Sequence, residues 1–218
     1  MTRRLAVGLL VMLMTAAAPL LARAETITFK LLPTYSRATF KSDAPLETFV
    51  GNPAGPGVAG TLTVDPARPQ GAAGTVRVDL NTVRTGVDKR DTDMRGKDFL
   101  DTEASEANRW AVFEIKSVDV AGPLEPGKEM PARVKGILTI KGKPVETVAD
   151  ARLTYVKLTP EQLENGQQKM WGFTSDNLKV RAKFATTFTN HGMQIPQLLF
   201  LKVANDIQLE TDLTFARQ

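Results

Sequence analysis

VKGILTIKGKPVETVADARLTY, residues 134–155, decides the fold. Val134, Gly136, Leu138 and Ile140 alternate with Lys135, Thr139 and Lys141, and a rougher alternation continues through 145–155. Side chains two positions apart share one face of a β-strand, so each half turns an apolar face inward and a polar face outward. Between the halves stands Lys141-Gly142-Lys143-Pro144, a turn sequence. The stretch reads as two half-buried antiparallel strands.

The same signature recurs on both sides. Val76, Val78 and Leu80 alternate with Arg77 and Asp79, and Ile207, Leu209, Leu213 and Phe215 alternate with Gln208, Glu210, Asp212 and Thr214. Rougher versions cover 26–31, 35–41, 58–64, 111–120, 173–183 and 184–189. Asp65-Pro66, Pro69-Gln70-Gly71, Gly122-Pro123 and Glu125-Pro126-Gly127 punctuate them. Roughly ten short strands spaced by turns predict an all-β sandwich or barrel. Two segments depart from the pattern. Residues 87–100, VDKRDTDMRGKDFL, are too charged for a strand interior and predict a short helix capped by Asp88. Residues 159–169, TPEQLENGQQK, predict one helical turn or an exposed loop. No linker divides the chain after residue 24, so 25–218 reads as one domain.

Residues 1–24 carry a different message. Arg3 and Arg4 precede an apolar run from Leu5 to Leu21, which ends in Ala22-Arg23-Ala24. A charged start, an apolar middle and a small-x-small end predict a secretory signal peptide cleaved after Ala24, hence an exported, periplasmic protein. Cleavage removes three arginines and no acid, taking the formal charge from +4 to +1. A near-neutral surface gives no electrostatic reason to bind nucleic acid. With Cys 0, disulfides, thiolate nucleophiles and thiolate metal sites are excluded, as is lipid attachment at a cleavage-site cysteine.

Catalytic constellations are scarce. His191 is the sole histidine, no G-x-S-x-G elbow accompanies it, and Thr189-Asn190-His191-Gly192 reads as a solvent-exposed turn. Asp88, Asp91, Asp93, Asp98, Asp101 and Glu103 form an acidic cluster, but Lys89, Arg90, Arg95 and Lys97 are interleaved with it. Such mixtures read as a solvated helix face knitted by local ion pairs. Residues 51–57, GNPAGPG, read as a mobile loop, because the prolines withhold amide donors and no lysine follows. Phe29, Phe40, Phe49, Phe99, Phe113, Phe173, Phe184, Phe188, Phe200 and Phe215, with Trp110 and Trp171, remain as candidates for a core or for the wall of a cavity.

GTLTVDPARP (60–69), TVRVDLNTVRTGVDKRDTDMRGKDFLDTE (75–103), AVFEIKSVDV (111–120) and the opening 134–155 stretch together resemble the YceI-like family of exported lipocalin-like proteins. The resemblance rests on Asn81-Thr82-Val83-Arg84-Thr85-Gly86, on Arg90-Asp91 with Met94-Arg95, on Asp98-Phe99-Leu100-Asp101 and on Gly136 through Gly142, all in order. The chain departs from the family pattern in Tyr35-Ser36, where the family has His-Ser, and in Phe188-Thr189-Asn190-His191-Gly192, where it has Arg-x-Asp-x-Gly.

The resemblance implies an antiparallel eight-stranded lipocalin-like barrel with one or two short helices. It implies an apolar tunnel for a polyisoprenoid or isoprenoid-quinone chain, acting as a non-enzymatic carrier or store without cofactor or metal. Phe99 and Leu100 are expected beside the tunnel under the short helix, and Phe113, Ile115, Leu138 and Ile140 on its wall. Transient contact with a membrane surface and a homodimer are compatible with that role. Two other readings stay open from the residues alone: an exported hydrolase using the carboxylates between 88 and 103, and a stress-related interaction protein with a solid interior.

Overall fold

The structure, a computed structural model, describes residues 25–198 and 201–218. The expected signal peptide and Phe200 lie outside the described residues. The first half of the chain contributes β1 (Ile27–Leu31), β2 (Arg37–Ala44), β3 (Glu47–Pro53), β4 (Val58–Val64), β5 (Ala73–Asp79), β6 (Val83–Arg84), α1 (Asp88–Arg95) and α2 (Glu106–Arg109). The second contributes β7 (Trp110–Val120), β8 (Glu129–Ile140), β9 (Lys143–Lys157), α3 (Pro160–Asn165), β10 (Asp176–Thr187), β11 (Gln197–Leu198), β12 (Leu201–Lys202) and β13 (Asp206–Arg217). None of the described helices is long and apolar enough to cross a membrane.

Eight strands close an antiparallel barrel in the order β1-β4-β5-β7-β8-β9-β10-β13, with β13 returning to β1. The β8–β9 hairpin shows how local chemistry sets register. Ile140 faces Lys143 across the loop, and Lys141 and Gly142 both take positive φ, 50° and 68°. That is the two-residue turn whose twist matches paired strands, and glycine supplies its second left-handed position without strain. α3 begins with a capping box: the Thr159 hydroxyl accepts the Gln162 amide while the Gln162 side chain accepts the Thr159 amide. Asp88 sits one position inside α1 rather than capping it; Val87 is the capping residue and supplies no side-chain bond.

One edge of β13 is divided between two partners. Its end pairs with β1, Leu31 opposite Phe215, whereas residues 208–212 pair with β2, Gln208 opposite Lys41 through Asp212 opposite Arg37. A one-turn helix, Pro33–Tyr35, lets the chain change course between β1 and β2. The buried Ser36 hydroxyl joins the two parts: it donates to the Leu32 carbonyl at 2.8 Å and accepts the Thr214 amide at 3.1 Å. From β2 the wall continues through β3 to β6, Asn52 opposite Arg84. The end containing β2 and β3 is therefore wider than the end closed by β1. Residues 51–53, expected in a mobile loop, belong to strand β3 instead, because Phe40 of β2 partners Gly51 while Arg84 and Val83 of β6 partner Asn52 and Pro53.

The interior divides accordingly. At the narrow end Phe29, Leu31, Leu62, Val134, Leu178, Leu213 and Phe215 pack into a solid core, with Phe29 and Phe215 at 0% exposure. Tyr155 donates to Asp176 there, and Ser175 and Arg217 donate to the same carboxylate at 2.7 and 3.1 Å. Burial opposes ionisation of Asp176, but these donors outweigh it and hold the carboxyl below its usual range. Outward-facing positions carry cross-strand ion pairs, such as Lys183 with Glu210 and Glu129 between Arg152 and Arg181. Phe29→Ala is expected to lower unfolding free energy by about 3–5 kcal/mol, because the packed neighbours cannot close the void. Urea denaturation checks this; a loss below about 1 kcal/mol would show that the narrow end is loosely filled.

Candidate functional site

At the wide end the same inward alternation meets too little side-chain volume to fill the space. A cavity of about 890 Å³ remains, opening beside α1. Val76 and Val78 of β5, Ala111 and Phe113 of β7, Leu138 and Ile140 of β8, Phe184 of β10, and Ile207 and Leu209 of β13 face it, completed by Phe40 of β2 and Phe49 of β3. Polar groups gather at the opening, among them Glu47, Lys89, Arg90, Asp93 and Lys97. The Phe113 and Phe184 rings, 5.4 Å apart and inclined at 52°, pack against both the solid core and the cavity wall and form its floor on the β7 and β10 side, while Ala38 and Thr211 line it one step deeper on the β2 and β13 side. Phe113 can lie flat against β8 because its neighbour there is Gly136: a Cβ on that glycine would stand 2.5 Å from the ring. A second concavity, about 910 Å³, is bounded by charged side chains such as Arg181, Lys183, Glu210 and Asp212 and offers no comparable apolar surface.

Phe99 and Leu100, expected beside the tunnel, line this cavity, as do three of the four residues expected on its wall, Phe113, Leu138 and Ile140. Ile115 does not. It shares the inward face of β7 with Phe113 but lies one step deeper, packed against the solid core. Alternation identifies the face of a strand and leaves open how far down the hollow extends. Phe40, Phe49, Phe184, Phe188 and Leu209 also line the cavity; the sequence offered the aromatic ones only as undifferentiated candidates.

α1 covers the opening through polar anchors, since Met94 is its main apolar contribution. Asp91, expected on a solvated face, is 2% exposed. Its carboxylate accepts the Thr85 amide at 2.8 Å and the Thr85 hydroxyl at 2.6 Å. Arg90 donates to Thr85 Oγ1 at 3.0 Å and to Glu47 at 2.7 Å, and lies 5.2 Å from the centre of the Phe49 ring. The helix is thereby tied to the segment leaving β6 and to the β2–β3 hairpin. The remaining acids disperse: Asp93 pairs with Lys89, and Asp98 accepts from Gln194. Among the described residues no group of three or more His, Asp or Glu could hold a metal ion. Nearby, Asp79 accepts from Arg109 at 2.7 Å, and that guanidinium holds its carboxyl below the usual range against the effect of burial.

His191 corrects a second expectation, since it is completely buried. Its ring reaches the Lys143 carbonyl from Nδ1 at 3.0 Å and Thr186 Oγ1 from Nε2 at 2.8 Å. A carbonyl only accepts, so the neutral ring carries its proton on Nδ1 and accepts from Thr186 at Nε2. It thus ties the turn after β10 to the β8–β9 hairpin, beside Phe188 and Met193 of the cavity wall. Burial lowers its pKa from 6.5 despite the carbonyl bond. The unfolded chain then takes up a proton that the folded ring resists, so the contribution of His191 to stability is complete above 6.5 and declines as pH falls. With one histidine in the chain and the lowered carboxylates of Asp79 and Asp176 titrating below 3.8, that decline is readable alone. Unfolding midpoints should drop between about pH 6.5 and 5, and His191→Gln should flatten the drop; parallel curves would contradict the assignment.

The chain matches the YceI-like domain over residues 29–215. No curated protein matches it in sequence. Among solved structures it is similar to a polyisoprenoid binding domain from Saccharophagus degradans implicated in plant cell wall breakdown, with TM-score 0.63 and 15% identity over 88% of this chain and 99% of that one. Burkholderia cenocepacia BcnA is similar at TM-score 0.62 and 16% identity, over 84% and 98% of the two chains. The Campylobacter jejuni YCEI protein is similar at 0.55 and 17%, over 77% and 84%. These likenesses show the fold, and the domain match shows the family: the chain belongs to the YceI-like family.

Proposed function

We propose that this member of the YceI-like family is exported to the periplasm and holds an isoprenoid-type lipid in its apolar cavity, as a carrier or store. The observation that carries the reading is a space of about 890 Å³ walled by Phe40, Phe113, Leu138, Phe184 and Leu209, with polar groups gathered beside α1 at its opening. The similarity to the Saccharophagus degradans polyisoprenoid binding domain supports the choice of lipid class.

Energetics favour exchange over capture. Moving a methylene from water into the cavity stabilises by roughly 0.8 kcal/mol, so a chain of many carbons strongly prefers the protein to solution. A bilayer offers nearly the same gain, so the difference between the two hosts is small. A protein of this kind takes up lipid from a membrane and returns it, without bond making or breaking.

Mass spectrometry of an organic extract from natively purified protein should show an isoprenoid lipid. Leu138→Asp or Phe113→Asp places an unpaired carboxylate in the wall, which should lower loading at least tenfold while circular dichroism remains that of a β-barrel. Repeatedly empty wild-type protein, or unchanged loading in both variants, would contradict the proposal.

A further inference from the structure

We infer that the Phe113–Phe184 ring pair is a floor that limits the stored chain to about seven isoprene units, inserted tail first with the head group left beside α1. The inference rests on the lipid-binding role proposed above and adds a length limit and a direction to it.

The cavity is blind. Level with the rings Leu138 and Leu209 line the cavity, and one step nearer the opening Val78 and Ala111 do so. Below the rings Leu62, Val134, Phe29 and Phe215 are buried, the last two completely, so no passage continues through the narrow end. A chain therefore cannot thread the barrel. A polar head group driven to the floor would lose its water among phenylalanine rings and find no partner, whereas at the opening it meets Lys89, Arg90, Asp93 and Lys97. Tail-first entry follows.

Volume sets the length. A protein cavity of roughly 150 Å³ accommodates one benzene, so about 890 Å³, which includes the space among the polar groups at the opening, holds at most about six such spaces, some 35 carbons or about seven isoprene units. Units beyond that number stay in water at the opening, while in a bilayer they would be solvated by lipid. Each excess unit should lower recovery from membranes at least tenfold, given the preference of its carbons for an apolar host. Removing one ring from the floor adds roughly one benzene-sized space, enough for about one more unit.

The test presents prenols of three to eleven isoprene units, equimolar in phosphatidylcholine vesicles, and identifies those recovered with the protein by mass spectrometry. Wild-type protein should show a maximum near six or seven units and a steep fall beyond seven. Phe184→Ala should move the maximum about one unit longer. Ala111→Phe, which adds a ring to the cavity wall nearer the opening, should move it about one unit shorter, and it decides the matter should Phe184→Ala not fold. Recovery indifferent to length, or a maximum that no folded variant moves, overturns the floor while the lipid-binding role stands. Failure of wild-type protein to take up any prenol overturns that role itself.

Discussion

The divided edge of β13 governs the rest of the molecule. One strand cannot pair its whole edge with a single neighbour and also leave a barrel that is tight at one end and wide at the other. Here Leu31 pairs with Phe215, while Lys41, further along the chain, pairs with Gln208. The Ser36 hydroxyl occupies the junction and satisfies backbone groups that the change of partner would otherwise strand, the Leu32 carbonyl and the Thr214 amide. Unsatisfied buried backbone groups are costly, so this junction is stable only because the side chain supplies the missing partners. Everything wide about the barrel lies on the β2 side of it.

The two halves of the interior show what that geometry does to identical residue types. Phe29 and Phe215 reach full burial where the strands converge. Phe40, Phe113 and Phe184 sit on the same inward face of the same kind of strand, yet remain partly accessible because the opposite wall stands too far away to cover them. A hollow of this kind persists when its lining is apolar and a ligand or little water enters it. The helix over the opening is compatible with that, since it is held from its polar side by Asp91 on Thr85 and Arg90 on Glu47.

Much of this was legible in one dimension. Period-two alternation identified the barrel strands and the inward face of β8, and the charge of residues 87–100 marked the helix that covers the mouth. The two runs at 173–189 proved to be one strand, β10, because nothing in the sequence distinguishes a long strand from two short ones in line. β3 was partly hidden by its Gly51-Asn52-Pro53 ending, which has turn chemistry but gains backbone partners from β2 and β6. Asp91 is one acid among six in its cluster, and only Thr85, brought back by the turn before α1, separates it from the others. His191 reads as a turn residue, and its burial depends on a carbonyl 48 positions away. The depth of the hollow was illegible for a related reason: Phe113 and Ile115 differ by one step along a strand, and void volume is a property of facing walls.

The central claim is that the wide end is hollow and apolar while the narrow end is solid. A high-resolution crystal structure of protein purified without detergent tests it most directly. The account predicts continuous elongated density running from the α1 opening down to the Phe113 and Phe184 rings and stopping there. Side chains of β5, β7, β8 and β13 interdigitated across the wide end, with no internal space and no density, would contradict it.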